Sequence, residues 1–159
     1  MEKIPNIWLG VKEFGYNCFA CAPHNPSGLK MEFYSNGDEV VSYWTPSDNF
    51  QSWLGVVHGG IQTTMLDEIG GWLVMQELDT CGVTAKMETK FLKPLLFADG
   101  QVEIRAKLIK TVRNIAIVNA WILNGKGEIC AQAELTYYTY PQEVAVEKFY
   151  YTPKNNLKS

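Results

Sequence analysis

One segment, residues 58–78, has the pattern of a long α-helix, and the rest of the sequence does not. Its apolar side chains occupy a broad arc rather than a narrow stripe, so we expect most of the helix circumference to be buried. The arc is formed by Ile61, Met65, Leu66, Ile69, Trp72 and Leu73. Gly70 and Gly71 lie inside the segment, where each lowers the stability of the helix by about 1 kcal/mol relative to alanine. That cost predicts the close approach of another backbone or a ligand.

Segments with the alternating or apolar pattern of β-strands flank the helix, two before it and four after it. Asn36-Gly37, between the first two, tolerates the positive φ angles of a tight hairpin turn. This order predicts an α+β fold, in which a curved antiparallel sheet of about six strands wraps around one central helix. The predicted strands are residues 29–34, 40–45, 83–93, 101–110, 115–123 and 128–140.

Length, net charge and the length of the apolar runs exclude several classes of protein. The 159 residues suit one domain, 1–159, with a core at about 18–140, an N-terminal extension and a polar C-terminal tail. A net charge of -3 argues against a nucleic-acid partner, which requires a basic face. The start of the sequence has no signal-peptide core, and residues 115–123 are too short to span a bilayer. We therefore expect a cytoplasmic protein with no membrane partner and with reduced cysteines.

A glycine pair at the helix start and an acid within the helix form the most informative motif. His58-Gly59-Gly60 is followed by Asp67, nine residues after the histidine. The runs CFAC at 18–21, NPSGL at 25–29, GVV at 55–57 and FLKP at 91–94 accompany it. Together these motifs resemble the hotdog-fold acyl-CoA thioesterases of the phenylacetate-degradation type, which are similar to 4-hydroxybenzoyl-CoA thioesterase. The resemblance extends from about residue 18 to residue 140 and implies a hotdog fold.

Thioester hydrolysis requires donors for the carbonyl oxygen as it gains charge, and a nucleophile or base. Adjacent glycines at a helix N-terminus leave backbone N–H groups open at the positive end of the helix dipole. The resemblance implies that Gly59 N–H is the donor, and that Asp67 is either the nucleophile or the base that activates water. The predicted reaction converts a small or medium-chain acyl-CoA, or an aryl-CoA, to free acid and coenzyme A. It needs no metal and no cofactor beyond the coenzyme A of the substrate.

The spacing of the two catalytic candidates predicts self-association. Gly59 and Asp67 are eight residues apart, or roughly 12 Å along a helix. One helix cannot easily bring both groups to the same carbonyl, whereas two antiparallel copies across a two-fold axis can. We therefore expect a homodimer with shared active sites, assembled further into a homotetramer as a dimer of dimers.

Four neighbouring residues are candidates for supporting roles. The helix dipole disfavours a protonated imidazole, so we expect His58 to pack in the loop rather than act as a base. Gly60 belongs to the same tight turn or to the oxyanion site. Thr63 either hydrogen-bonds the carboxylate of Asp67 or packs in the helix face. Glu68 points about 100° away around the helix, which favours a role beside the site or at an interface.

Two positions depart from the family pattern. Several relatives have Asn or Gln shortly before His-Gly-Gly to orient the nucleophilic water. This chain has Ser52 six residues before His58, with Gln51 beside it. Some relatives have Ser or Thr one turn after the acid, where this chain has Gly71. Ser52 and Gln51 are thus the candidates for contact with the water or the substrate.

The Cys18-x-x-Cys21-x-x-His24 run has the ligand types and spacing of half a zinc site. A structural zinc site needs four ligands, and Cys81 and Cys130 are single cysteines far from the run. We therefore expect a packed loop and no metal.

Two rival functions remain open. A non-catalytic module that binds acyl-CoA keeps the fold and is favoured by the missing Asn and Thr partners. A hotdog dehydratase pairs a histidine with an acid, but the chain has only His24 and His58 and lacks an Asp-x-Asn-Pro-x-His run. Release of free thiol from acyl-CoAs separates hydrolysis from binding alone.

Overall fold

Helix α1, Gly59–Leu78, lies against one face of a large antiparallel sheet. The computed structural model describes residues 1–157. In that range the strands are β1 (Glu2–Lys3), β2 (Tyr34–Asn36), β3 (Glu39–Trp44), β4 (Gly82–Phe91), β5 (Val102–Val112), β6 (Ile115–Leu123) and β7 (Ile129–Thr139). Their order in the sheet is β1-β2-β3-β5-β6-β7-β4, and α1 contacts β3, β4, β5, β6 and β7. The predicted α+β arrangement around a central helix is confirmed.

The apolar arc of α1 is buried against this sheet, as predicted. Met65, Leu66, Ile69 and Leu73 have no exposed surface. Burial of each such side chain contributes about 1.5–3 kcal/mol relative to exposure. The helix is therefore held mainly by tertiary packing, which explains why it tolerates two interior glycines.

Both ends of α1 have capping groups that account for its length. His58 precedes the first helical residue and accepts a hydrogen bond from the N–H of Gly60. Asp79 follows the last residue in the left-handed region, with φ 52°, and its N–H donates to the carbonyl of Met75. The helix predicted over residues 58–78 is correct except that His58 is a cap.

The predicted number of strands was too low by one. The structure has seven strands within residues 1–157, because Glu2–Lys3 pairs antiparallel with Tyr34–Asn36. A two-residue strand is too short to show alternation, so the sequence pattern carries no signal for it. The remaining predicted strands have counterparts: β6 has the predicted bounds, and β3, β4, β5 and β7 differ from them by one or two residues.

The prediction of a strand over residues 29–34 was largely wrong. Leu29, Met31 and Phe33 are buried, so the alternation is present, but strand pairing begins only at Tyr34. Lys30 has a φ of 56°, which an extended strand does not allow. The backbone N–H groups of Leu29 and Met31 donate instead to carbonyls of the loop at residues 19–20, at 2.9 Å each.

The segment predicted as a polar tail forms a second helix, α2, Gln142–Phe149. Its Ala145 packs with Cys81 and Tyr151 in a small apolar cluster. Residues 158–159 of the predicted tail lie outside the described residues. No helix within residues 1–157 is both long enough and apolar enough to cross a membrane.

The two interior glycines of α1 have different surroundings. A Cβ built on Gly70 would lie 2.2 Å from the hydroxyl oxygen of Tyr137 on β7. A Cβ on Gly71 would have no atom within 4 Å. The expectation of a nearby backbone or ligand was wrong for Gly70, because the neighbour is a tyrosine side chain. Gly71 faces open space.

We predict opposite effects of the same substitution at these glycines. Gly71→Ala removes the helix cost of glycine and raises the free energy of unfolding by up to about 1 kcal/mol. Gly70→Ala forces the Tyr137 hydroxyl aside, and overpacking of this kind costs about 1–3 kcal/mol. Thermal and denaturant unfolding followed by circular dichroism measure both. Stabilisation of both variants to the same extent would contradict the assigned contact.

Candidate active site

The N-terminus of α1 presents a backbone donor that no described residue uses. His58 Nδ1 accepts the N–H of Gly60 at 2.8 Å. The N–H of Gly59 has no hydrogen-bond acceptor among residues 1–157. This N–H lies at the positive end of the helix dipole, where a developing negative charge is stabilised. The geometry therefore favours the N–H of Gly59 over that of Gly60 as a hydrogen-bond donor to an anion.

His58 acts as the helix cap. Its Nδ1 can accept from Gly60 only when that nitrogen carries no proton, so the cap requires the neutral ring with its proton on Nε2. The side chain is exposed, and its backbone N–H donates to Phe50 O at 2.9 Å. His58 was expected to pack in the loop; only its backbone bonds the loop, and its exposed ring caps the helix.

Gln62 fixes the strand-to-helix turn and was not identified from the sequence. Its Nε2 donates to the carbonyl of Val57 at 3.0 Å, and the residue is only 4% exposed. Its Oε1 is buried with no hydrogen-bond partner among the described residues. The signal in the sequence was its position one helical turn before Met65 and Leu66, on the apolar side of the helix.

Asp67 lies in the middle of α1, with its carboxylate held by two hydroxyl groups. Thr84 Oγ1 donates to Asp67 Oδ1 at 2.6 Å, and the Tyr137 hydroxyl lies 3.2 Å from the same oxygen. The Tyr137 hydroxyl also donates to the Asp67 carbonyl at 2.8 Å. Oδ2 accepts no hydrogen bond from residues 1–157, so it is the oxygen left for a water or substrate.

The Tyr137 hydroxyl stays a donor because of its surroundings. Burial, reinforced by the negative charge of Asp67, raises the pKa of Tyr137 far above its usual value. The glycine at position 70 provides the space for this hydroxyl beside the helix. The sequence showed the glycine but not its partner, which is 67 positions further along the chain.

Thr63 does not contact Asp67, so that alternative was wrong. Its Oγ1 donates to the carbonyl of Gly60 at 2.8 Å and lies 3.3 Å from that of Gly59. A threonine in a helix commonly bonds the carbonyl one turn back, and that local bond is made here. Thr84, on a neighbouring strand, takes the role considered for Thr63.

The loop before His58 holds the two candidates for contact with water or substrate. Gln51 Oε1 accepts the N–H of Gly55 at 3.0 Å, and Ser52 Oγ donates to Val56 O at 3.4 Å. Both side chains are exposed. Gln51 therefore stabilises its own loop, while Ser52 lines a cleft that also contains Gly59.

This cleft is about 490 Å³ in volume and has apolar walls beside one cation. Trp53 is 82% exposed at its rim, and Phe91 is 54% exposed. A Cβ on Gly59 would lie 3.6 Å from the Phe91 ring. Lys93, which also lines the cleft, forms an ion pair with Glu128. The cleft reaches Gly59 but is not lined by Asp67, consistent with the roughly 12 Å expected for eight helical residues.

Glu68 faces a different side of α1 from Asp67. Its Oε1 accepts from Trp72 Nε1 at 3.0 Å and lies 3.6 Å from Cys18 Sγ. Burial raises the pKa of Glu68 to about 7. Within this chain, Glu68 therefore lies beside the N-terminal loop rather than beside Asp67.

The N-terminal cysteines lie beside Glu68 and not beside His24. A hydrogen bond from Cys21, assisted by backbone N–H groups, lowers the pKa of the Cys18 thiol to about 5. The same contact raises the pKa of Cys21. His24 Nε2 lies 2.7 Å from the carbonyl of Tyr16. His24 therefore does not lie with the two cysteines, whereas Glu68 does.

Comparison with known proteins finds similarity in the central segment of the chain. Residues 54–131 match the family model described as the thioesterase superfamily. A provisionally named esterase of Thermoplasma acidophilum is 31% identical over 86 residues, covering 54% of this chain and 64% of that protein. A second such esterase, from Saccharolobus solfataricus, is 30% identical over 88 residues, covering 54% of this chain and 57% of that protein. The chain thus spans less than two thirds of either relative.

Solved structures share the fold. A hypothetical thioesterase of Streptococcus pneumoniae, in a structure with coenzyme A, superposes with a TM-score of 0.64 at 25% identity. The superposition covers 70% of this chain and 90% of that one. The hotdog fold implied by the sequence resemblance is confirmed.

We predict that the His58 imidazole can be replaced by another acceptor. His58→Ala removes the cap and lowers the free energy of unfolding by about 1 kcal/mol. His58→Asn keeps a side-chain acceptor at the same position and retains most of that stability. Chemical denaturation of both variants measures the difference. Equal losses in both variants would show that the cap contributes little.

Proposed function

We propose that this chain, whose residues 54–131 match the model of the thioesterase superfamily, hydrolyses a small or medium-chain acyl-CoA, or an aryl-CoA, to free acid and coenzyme A. The observation that carries the proposal is the pair of groups on α1. Gly59 offers an unused N–H at the helix N-terminus, and Asp67 offers an oxygen with no partner among the described residues. These are the oxyanion donor and the nucleophile or base that the reaction requires.

The reaction balances with these two groups. Water, deprotonated by Asp67 Oδ2, adds to the thioester carbonyl carbon while the carbonyl oxygen gains negative charge beside Gly59 N–H. The C–S bond then breaks, the acid is released, and the thiolate of coenzyme A takes up the proton. In the alternative course Asp67 Oδ2 attacks the carbonyl carbon, and the C–S bond breaks to release the thiolate of coenzyme A. Water then hydrolyses the resulting anhydride to the free acid and the Asp67 carboxylate, and the thiolate takes up the released proton. The Thr84 and Tyr137 hydroxyls hold the carboxylate in either case.

Strand β4 supports the proposal that two chains share each site. It is ten residues long and has no neighbouring strand on its outer edge within residues 1–157. Val83 and Phe91 are exposed apolar residues on this strand. A long unprotected edge with exposed apolar residues is unfavourable in a monomer and pairs readily with another strand. A second copy of β4 is the partner that we propose.

The contacts of β4 explain how such pairing completes the site. Thr84, near its start, donates to Asp67, and Phe91, its last residue, lies against Gly59. Antiparallel pairing of two copies about the middle of β4 sets the Thr84 end of one strand opposite the Phe91 end of the other. Asp67 of each chain then faces Gly59 of the second chain. A homodimer is thus proposed as the active unit, and a dimer of dimers as its further assembly.

The cleft beside Gly59 fits an acyl-CoA substrate. Trp53 and Phe91 supply apolar walls for an acyl group, and Lys93 supplies a cation for a phosphate. The Streptococcus pneumoniae structure with coenzyme A supports this choice of carrier. In this proposal coenzyme A belongs to the substrate, and the hydrolysis uses no separate organic cofactor. The catalytic groups come from the protein alone.

We predict that Asp67→Asn lowers turnover of acyl-CoA by at least about a hundredfold while the fold and substrate binding are kept. The amide is close to the carboxylate in shape but cannot accept the proton or attack the carbonyl. Free-thiol release from a panel of acyl-CoAs measures turnover, and calorimetry measures binding. Glu77→Gln, an exposed position on the same helix, is the matched control.

The same panel separates hydrolysis from binding alone. Wild-type protein that binds acyl-CoA without thiol release would favour the non-catalytic module. Near-normal turnover by Asp67→Asn would remove Asp67 from the mechanism.

A further inference from the structure

We propose that Cys18, Cys21 and Glu68 bind one Zn²⁺ ion beside α1, on a different side of the helix from Asp67. The cysteines come from the N-terminal loop and the acid from the helix, so the sequence alone did not unite them. The site would be separate from the hydrolytic machinery and would join the loop to the central helix. It does not depend on the proposed thioesterase activity.

The distances suit a single ion. One ligand atom from each residue lies within 4.8 Å of the other two, and Cys18 Sγ is 3.6 Å from Glu68 Oε1. Zinc bonds sulfur at about 2.3 Å and carboxylate oxygen at about 2.0–2.2 Å, so tetrahedral neighbours are separated by roughly 3.5–3.8 Å. Small side-chain adjustments are enough to close the three atoms around an ion.

The loop that carries the cysteines is held in place by backbone hydrogen bonds. The Ala22 N–H donates to the Cys18 carbonyl at 3.1 Å. Carbonyls of Phe19 and Ala20 accept from the segment at residues 29–31, at 2.9 Å each. The two sulfur atoms are therefore presented to Glu68 by a braced turn. Preorganised ligands of this kind reduce the cost of ordering a metal site.

Neighbouring side chains orient the ligand atoms. Trp72 Nε1 donates to Glu68 Oε1 at 3.0 Å, and the Tyr16 hydroxyl lies 3.0 Å from Cys21 Sγ. Asn6 Nδ2 in turn donates to the Tyr16 hydroxyl at 3.1 Å. Hydrogen bonds to metal ligands are a common feature of metal sites, where they fix the ligand orientation.

The side chains around Cys18, Cys21 and Glu68 favour a bound cation. Cys18, Cys21 and Glu68 line a pocket of about 340 Å³ whose described lining contains no lysine, arginine or histidine. Its other walls include Trp8, Tyr16, Gly71, Trp72, Met75 and Phe149. Glu68 forms no ion pair within residues 1–157. A divalent ion would supply the missing charge, and the pocket leaves room for water or another ligand in a fourth position.

The ligand chemistry favours zinc among the common ions. Thiolates disfavour Mg²⁺ and Ca²⁺, which prefer oxygen ligands, while a carboxylate is a poor ligand for Cu(I). Two sulfurs, one carboxylate oxygen and an open fourth position match four-coordinate zinc. This proposal departs from the expectation of a packed loop without a metal, because α1 offers a third ligand.

The test uses the full-length chain, reduced and stripped of metal under air-free conditions. Titration with Co²⁺ as a spectroscopic probe is expected to give one bound ion per chain, with thiolate-to-cobalt charge-transfer absorption. Zn²⁺ added afterwards is expected to displace the cobalt and abolish the band. Absence of the band in the wild-type chain overturns the proposal, whatever the activity of the protein.

Variants then assign the ligands. Cys18→Ser and Cys21→Ser are each expected to remove the charge-transfer band, and Glu68→Gln to weaken Co²⁺ binding by at least about tenfold. His24→Ala is the matched control and is expected to keep wild-type binding, because His24 faces the Tyr16 carbonyl. A band that survives both cysteine substitutions, or that is lost in His24→Ala with the fold intact by circular dichroism, contradicts the assigned ligand set.

Discussion

The packing of α1 against five strands is the constraint on which the rest of the structure depends. Because one side of the helix is buried against β3 to β7, three of its polar side chains have partners on other elements. Gln62 donates a hydrogen bond to Val57 at the helix start. Asp67 contacts Thr84 and Tyr137 on two strands, and Glu68 contacts the N-terminal loop. One buried helix thus brings the chemistry of distant segments together.

Two adjacent acids acquire different roles because consecutive helical residues point about 100° apart. Asp67 faces β4 and β7, where two hydroxyl groups hold one of its oxygens and leave the other open. Glu68 faces a pocket with two cysteines and no basic side chain in its described lining. The first environment suits proton transfer or attack, and the second suits a metal. The proposed hydrolysis and the proposed zinc site therefore use different faces of α1.

The main features of the fold were readable from local pattern, because the helix arc and the strand alternation reflect burial directly. The failures have physical reasons. Lys30 adopts a positive φ that breaks the strand expected there, and Glu2–Lys3 is too short to show a period. At the candidate site, Asp67 and Gly59 were proposed from the resemblance to the thioesterases and from the glycine pair at the helix start. Thr84 and Tyr137 were not identified, because contacts between distant segments give no recognisable spacing in the sequence. Gly70 was the local sign that a side chain, here Tyr137, approaches the helix.

The central claim is that each active site is built from two chains, and mixed dimers test it most directly. Asp67→Asn removes the acid, and Gly59→Val blocks the oxyanion donor, so each homodimer is expected to be nearly inactive. In a heterodimer one active site contains both substitutions and the other contains neither. About half of the wild-type activity per dimer is therefore expected. Equal amounts re-paired at random give about half mixed dimers, and the account predicts recovery of roughly a quarter of wild-type activity. With subunit exchange confirmed by mass spectrometry, a mixture as inactive as its parents would contradict the shared site.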